Sequence, residues 1–220
     1  MEPMMQLSGP TAGPAAGGPA REIVLFLHGL GADGNDLIGL APYFAQALPH
    51  AVFAAPDAPF PCDMAPYGYQ WFSLQDRTPS MMLAGVHASA PLLDAYIDDL
   101  LATHGLGEQR LALVGFSQGT MMSLHVAPRR AREVAGVVGF SGALLAGDRL
   151  PDELRSRPPV LLIHGDADPM VPFEALGVAR AGLAAAGVPV AVERRPGLGH
   201  SIDEPGIRRA IAFLEERFAA

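Results

Sequence analysis

From Arg21 onward, short apolar runs rich in β-branched residues alternate with longer stretches of helical character. Few architectures accept that order other than a parallel sheet whose strands are joined by helical crossovers. The strand candidates are residues 23–27, 52–55, 111–115, 134–140, 160–164 and 188–194. Each is apolar almost without interruption, as expected of strands whose sheet is covered on both faces. Helices are predicted over residues 37–47, 81–104, 118–126, 174–186 and 205–218. Asp203 stands just ahead of the last, with Pro205 near its first turn, and Gly105 and Gly187 close the second and fourth. Pro91 lies inside the second span, so that helix is expected to begin near Pro91 or to bend there. Residues 5–7 could add a short edge strand.

A length of 220 residues suits one domain at about 150 residues per domain. We assign it to residues 21–220, because residues 9–20 are mostly Gly, Pro and Ala and read as a flexible or extended lead-in. Half the residues are apolar and only 17% are charged, which excludes an extended, disordered chain. The net charge of −8 makes nucleic acid a poor partner. A single cysteine, Cys62, closes no intramolecular disulfide and builds no thiolate metal site, so a cytoplasmic location is expected. The uncharged stretches 37–56 and 111–128 approach the roughly 18–20 residues that span a bilayer, but prolines cut the first and polar side chains fill the second. Stable membrane insertion is therefore not expected, and the N-terminus lacks the basic start and apolar run of a secretory signal.

Gly115-Phe116-Ser117-Gln118-Gly119 follows a predicted strand and opens a predicted helix, the setting in which a Gly-x-Ser-x-Gly pattern carries meaning. A nucleophile on so sharp a turn has strained backbone, and side chains two positions away on either side would collide with neighbouring main chain. Glycine removes the collision. The turn exposes the Ser117 hydroxyl at the C-terminal edge of the sheet and aims the Gln118 amide, at a helix N-terminus, toward the place where an oxyanion would form.

A serine hydroxyl needs a base to take its proton, and the base needs a carboxylate to orient it. Of the seven histidines, His50, His87, His104 and His125 fall in or beside predicted helices or at a strand start, while His28 and His164 end strands and suit turn-buttressing roles. His200 sits in Gly197-Leu198-Gly199-His200-Ser201, between the last predicted strand and the last helix, where a base can reach across the strand ends. For the acid, Asp166 and Asp168 both lie just past the fifth strand. Asp168, further out and followed by Pro169, is preferred; Asp166 is better placed to bond turn amides. The chain order Ser, Asp, His is that of α/β-hydrolases rather than of the two familiar serine-protease orders. A second oxyanion donor should come from the loop after an early strand, and Leu30, between Gly29 and Gly31, is placed to give its backbone amide.

These residues resemble the carboxylesterase, phospholipase and acyl-protein thioesterase group of small α/β-hydrolases. Four blocks carry the likeness: residues 28–34, Gln70-Trp71-Phe72, the serine turn, and His164-Gly165-Asp166-Ala167-Asp168-Pro169 with Gly199-His200-Ser201. The resemblance implies an α/β-hydrolase fold with a mostly parallel central sheet of six or seven strands, helices on both faces and a single domain. It implies a triad of Ser117, Asp168 and His200, oxyanion donors at Leu30 and Gln118, and no metal or cofactor. Residues 58–64 look closer to bacterial carboxylesterases than to eukaryotic depalmitoylating enzymes. Related enzymes are often dimers, which makes a homodimer one reading by analogy alone.

Residues 56–79 fit neither the strand nor the helix period, and a loop that long requires a reason. Two readings stand: its aromatics plug the core, or Met64, Tyr67, Trp71 and Phe72 overhang the site as an apolar substrate wall. The expected function is hydrolysis of small or medium carboxylic esters through an acyl-serine. The alternatives are thioester cleavage on acylated proteins or acyl-CoA, and, from another class, a hydrolase-fold protein that binds a hydrophobic ligand without turnover. A phospholipid hydrolase is less favoured, since no basic amphipathic face suits an anionic membrane.

Overall fold

The computed structural model describes residues 6–220. In chain order it contains β1 (Thr11–Ala12), β2 (Glu22–Leu27), α1 (Gly34–Ile38), α2 (Ala41–Ala45), β3 (Ala51–Ala54), β4 (Phe60–Pro61) and β5 (Tyr69–Gln70). There follow α3 (Pro79–His104), β6 (Leu111–Phe116), α4 (Gln118–Val126), β7 (Gly136–Phe140), α5 (Leu150–Glu153), β8 (Val160–Gly165), α6 (Glu174–Ala185), β9 (Val190–Arg195) and α7 (Glu204–Ala219). Seven strands make one sheet in the order β1-β3-β2-β6-β7-β8-β9. β1 pairs antiparallel to β3, and the other neighbours are parallel. This is the single-domain α/β-hydrolase architecture expected from the sequence.

The period of two along each strand sends alternate side chains to opposite faces. On β2, Ile23, Leu25 and Leu27 join a core with Leu93 and Ile97 of α3, Met122 of α4 and Leu183 of α6. Val24 and Phe26 join a second core with Leu37 of α1, Phe44 of α2, and Phe213 and Leu214 of α7. The two cores cover both faces of β2, β3, β6, β7 and β8, which is why those strands read as apolar runs; β9, at the sheet edge, has no buried residue and ends in Glu193-Arg194-Arg195.

Several local expectations need correction. The helix predicted at 37–47 is two short ones: Asp33 accepts from the Asp36 amide and so starts α1 early, Gly39 closes it, and Pro42 sits in the first turn of α2. Pro91 does not delimit a helix, because α3 runs through it from Pro79 to His104. Of the proposed strand at 5–7, Met5 lies outside the described residues, and Gln6 and Leu7 are not in a strand. The edge strand is Thr11–Ala12, pairing with Ala54 and Phe53, so the lead-in segment is extended along the sheet there. α5 and the β4–β5 hairpin were not anticipated. Among the described residues, no helix is long and apolar enough to cross a membrane.

Candidate active site

β6 delivers the chain to Ser117, and α4 carries it away. At Ser117 the backbone is at φ 54 and ψ −115, a conformation that L-residues seldom adopt and that is held here from several sides. The Ser117 N–H donates to Phe140 O at 2.9 Å, and the single Thr120 hydroxyl hydrogen is shared between Gly115 O and Phe140 O, 2.8 and 2.9 Å from Oγ1. A Cβ on Gly115 would come 2.5 Å from the Gly119 main chain, and a Cβ on Gly119 would run into the Leu27 carbonyl oxygen. Strand, turn and helix therefore touch through backbone alone.

The acid and the base come from the adjacent strand ends. Asp168, in the loop after β8, has a side chain fully shielded from solvent. Its Oδ2 accepts from His200 Nδ1 at 2.7 Å, and its Oδ1 accepts the amides of Met170 and Val171 at 2.8 and 2.9 Å. Burial pushes its carboxyl upward, but the His200, Val171 and Met170 donors outweigh that and hold it below the usual aspartate range. Because a carboxylate only accepts, the His200 proton is assigned to Nδ1, which leaves Nε2 as the acceptor. The His200 ring lies 4.8 Å from the Phe116 ring, centroid to centroid. Asp166 does a different job: it accepts the Gly197 amide at 2.6 Å and pairs with Arg194, pinning the turn that carries His200.

Ser117, His200, Leu30 and Gln118 line one cavity of about 340 Å³. Gly29 lets the oxyanion loop lie against the serine turn, since a Cβ there would sit 3.2 Å from Ser117 Cβ. Gly31 N–H donates to Tyr69 O at 2.9 Å, and Tyr69 N–H donates to Ala32 O at 2.8 Å, so β5 fixes the Leu30 loop from outside. Among the described residues, the Leu30 and Gln118 amides make no hydrogen bond, and both remain free to donate to a ligand.

The four residues expected on the substrate wall divide between cavity, core and surface. Met64 lines the cavity. Trp71 and Phe72 do not; they are at most 1% exposed and belong to the core beside α3, where Phe72 packs so closely on Gly85 that a Cβ would lie 2.5 Å from its own. Tyr67 is 74% exposed and is not part of the cavity wall. Residues 56–79 thus divide between both readings, with Met64, Leu74 and Arg77 on the wall and the two aromatics inside.

Trp71 nevertheless touches the site from behind. Its indole N–H donates to His28 O at 3.0 Å, and its backbone N–H donates to Gln118 Oε1 at 3.1 Å, while Gln118 Nε2 donates to Phe72 O at 2.8 Å. His28 is buried and neutral, its pKa lowered chiefly by desolvation; Nε2 accepts the Ala58 amide at 2.9 Å and Nδ1 donates to Gly29 O at 2.7 Å. His164 Nε2 donates to Val171 O at 3.0 Å, bracing the loop behind Asp168. Sequence reasoning missed Met170, Val171 and Pro172 on the wall, although they directly follow Asp168-Pro169 and so had to lie near the acid.

A model of the family described as phospholipase/carboxylesterase matches residues 14–217. Esterase YpfH of Escherichia coli (strain K12) is 29% identical over 196 residues, with 89% of this chain and 83% of that protein covered. Acyl-protein thioesterase 1 of Gibberella zeae is 27% identical over 214 residues, with 88% and 89% covered. The crystal structure of esterase PE8 superposes with a TM-score of 0.91 at 41% identity, covering 96% of this chain and 99% of the other.

Proposed function

The chain belongs to the phospholipase/carboxylesterase family, and we propose that residues 21–220 form a serine carboxylesterase domain with Ser117, Asp168 and His200 as its triad. The observation that carries this is the 2.7 Å bond from His200 Nδ1 to a shielded Asp168, with His200 and Ser117 on the wall of one cavity.

His200 Nε2 takes the Ser117 proton as Oγ attacks the ester carbonyl carbon, and the oxygen that gains charge accepts from the Leu30 and Gln118 amides. The tetrahedral species collapses as His200 returns the proton to the leaving alcohol, and an acyl-serine remains. Water enters, gives a proton to His200 and attacks the acyl carbon; the acid departs and Ser117 regains its hydrogen. Asp168 keeps the imidazole in the correct tautomer and stabilises it while charged. None of these steps requires a metal or cofactor.

A volume of about 340 Å³ is at the small end for ligand cavities, and mostly apolar walls suit small or medium acyl chains. A thioester would use the same chemistry, and parallel assays of p-nitrophenyl esters and acyl-thioesters separate the two. Cytoplasmic residence rests on cysteine usage, and a homodimer on family analogy; sedimentation at several concentrations checks the latter.

Labelling by a fluorophosphonate is expected in the wild type and absent in Ser117→Ala, with turnover lower by about 10⁴-fold or more and an unchanged circular-dichroism spectrum. Labelling that persists in Ser117→Ala would remove the serine from the mechanism. No turnover of any ester by the wild type would favour the ligand-binding alternative.

A further inference from the structure

Apart from the proposed base, the cavity wall carries two charged side chains, Asp36 and Arg77, among apolar neighbours such as Met64, Leu74, Met82 and Met170. Arg77 lies just ahead of α3. Its Nε donates to Leu74 O at 3.4 Å, which ties the base of the side chain to the wall and leaves the terminal nitrogens uncommitted. The adjacent Asp76 is held ionised, its carboxyl kept below the usual range by Thr78, whose amide it accepts at 2.8 Å, but it makes no ion pair with Arg77 among the described residues. Elsewhere in this acidic chain, arginines such as Arg129, Arg130, Arg194 and Arg195 sit against carboxylates. Among the described residues Arg77 forms no such ion pair; Arg21, Arg149 and Arg180 form none either, but Arg77 is the arginine on this cavity wall.

A guanidinium beside an apolar wall is a specific receptor for an oxyanion. It is weakly hydrated, always charged and able to give two parallel N–H bonds to one carboxylate. Arg77 and Asp36 are both solvent-exposed where they line the cavity, so water screens part of the attraction and geometry supplies the selectivity. Asp36 repels an anion from its own stretch of wall, so the two charges together orient a ligand whose anionic end lies toward Arg77. We propose that Arg77 is a specificity-determining residue and that the preferred substrates are esters bearing a carboxylate a few atoms from the scissile bond. This rests on Ser117 being the hydrolytic centre.

The test uses matched ester pairs. Mono-p-nitrophenyl glutarate and p-nitrophenyl pentanoate differ by a carboxylate on the acyl side; 4-acetoxybenzoate and phenyl acetate differ by one on the leaving group. In Arg77→Met, which keeps the apolar stem and removes the charge, the anionic-to-neutral ratio of kcat/KM should fall about five- to tenfold in at least one pair, mainly through KM. Ratios unchanged in both pairs would overturn the proposal, because the stem alone would then account for the residue. Wild-type enzyme that leaves all four esters intact would instead overturn the esterase reading. Binding of glutarate itself, followed by titration calorimetry, still decides the anion site in that case: it should weaken in Arg77→Met, and equal binding refutes the proposal.

Discussion

Asp168 gives one carboxylate oxygen to His200 Nδ1 at 2.7 Å and the other to the amides of Met170 and Val171, so the group that orients the base is itself oriented by main chain. Asp166, two residues earlier, spends both its oxygens on Gly197 and exposed Arg194. Under the proposed mechanism the two aspartates must respond differently to the same change. Asp168→Asn should lower kcat by about 10⁴-fold, because the carboxamide no longer enforces the Nδ1–H tautomer. Asp166→Asn should cost less than about tenfold, through a looser turn. Steady-state kinetics on one p-nitrophenyl ester decides it, and the reverse ranking would show that the acid was assigned wrongly.

Trp71 is buried behind the site, and its indole N–H reaches the carbonyl of His28, the residue just ahead of the Leu30 loop. Its backbone N–H meets the Gln118 side chain, so one residue spans the two segments that supply the oxyanion amides. Trp71→Phe should retain most of the core volume and leave the buried His28 carbonyl without that donor, at a cost of about 1–3 kcal/mol. If the spacing of the amides depends on this link, kcat falls and KM changes little, and a trifluoromethyl ketone that mimics the tetrahedral species loses affinity in parallel. A drop in thermal stability with unchanged kcat would confine Trp71 to a packing role.

What could be read from sequence was what local chemistry dictates. α4 begins and ends where predicted, at Gln118 and Val126, because the serine turn fixes its start whatever lies around it. The preference for Asp168 over Asp166 likewise came from positions in one loop. Trp71 and Phe72 were undecidable in the same terms: an aromatic in a proline-rich segment packs inward or overhangs depending on what stands opposite, and here that is Gly85, on a helix that runs through Pro91. The cavity wall was harder still, since Met64, Met121 and Met170 come from three separate elements, and no periodicity links them.

Gly119 meets Leu27 with no room for a methyl group, so Gly119→Ala must push α4 away from β2. Overpacking against backbone, which cannot swing aside as a side chain does, costs about 1–3 kcal/mol or more. Both the melting temperature and fluorophosphonate labelling should fall. Gly177→Ala, on α6 with open space around it, serves as the control and should leave both intact. Equal behaviour of the two variants would mean that the serine turn tolerates a wider approach than its packing indicates.

His125, on the same helix as the serine turn, is buried with its ring 5.2 Å from that of His87. Among the described residues, its Nδ1 has no hydrogen-bond partner. Its pKa is lowered to about 4, first by burial, then by Arg129 and His87, with Glu153 acting weakly in the opposite sense. In the unfolded chain the ring takes its proton near pH 6.5, in the folded one only near 4. Between those values the unfolded state therefore binds more protons, and folding stability falls as pH drops through the window. A separation of that size corresponds to about 3 kcal/mol. Acid-side melting temperatures should fall steadily from pH 7 to 4.5 in the wild type and more shallowly in His125→Leu, whose side chain carries no proton to gain. The difference between the two curves isolates this histidine from the carboxylates that titrate in both proteins, and parallel curves would mean that the folded protein accepts the proton on His125 without penalty.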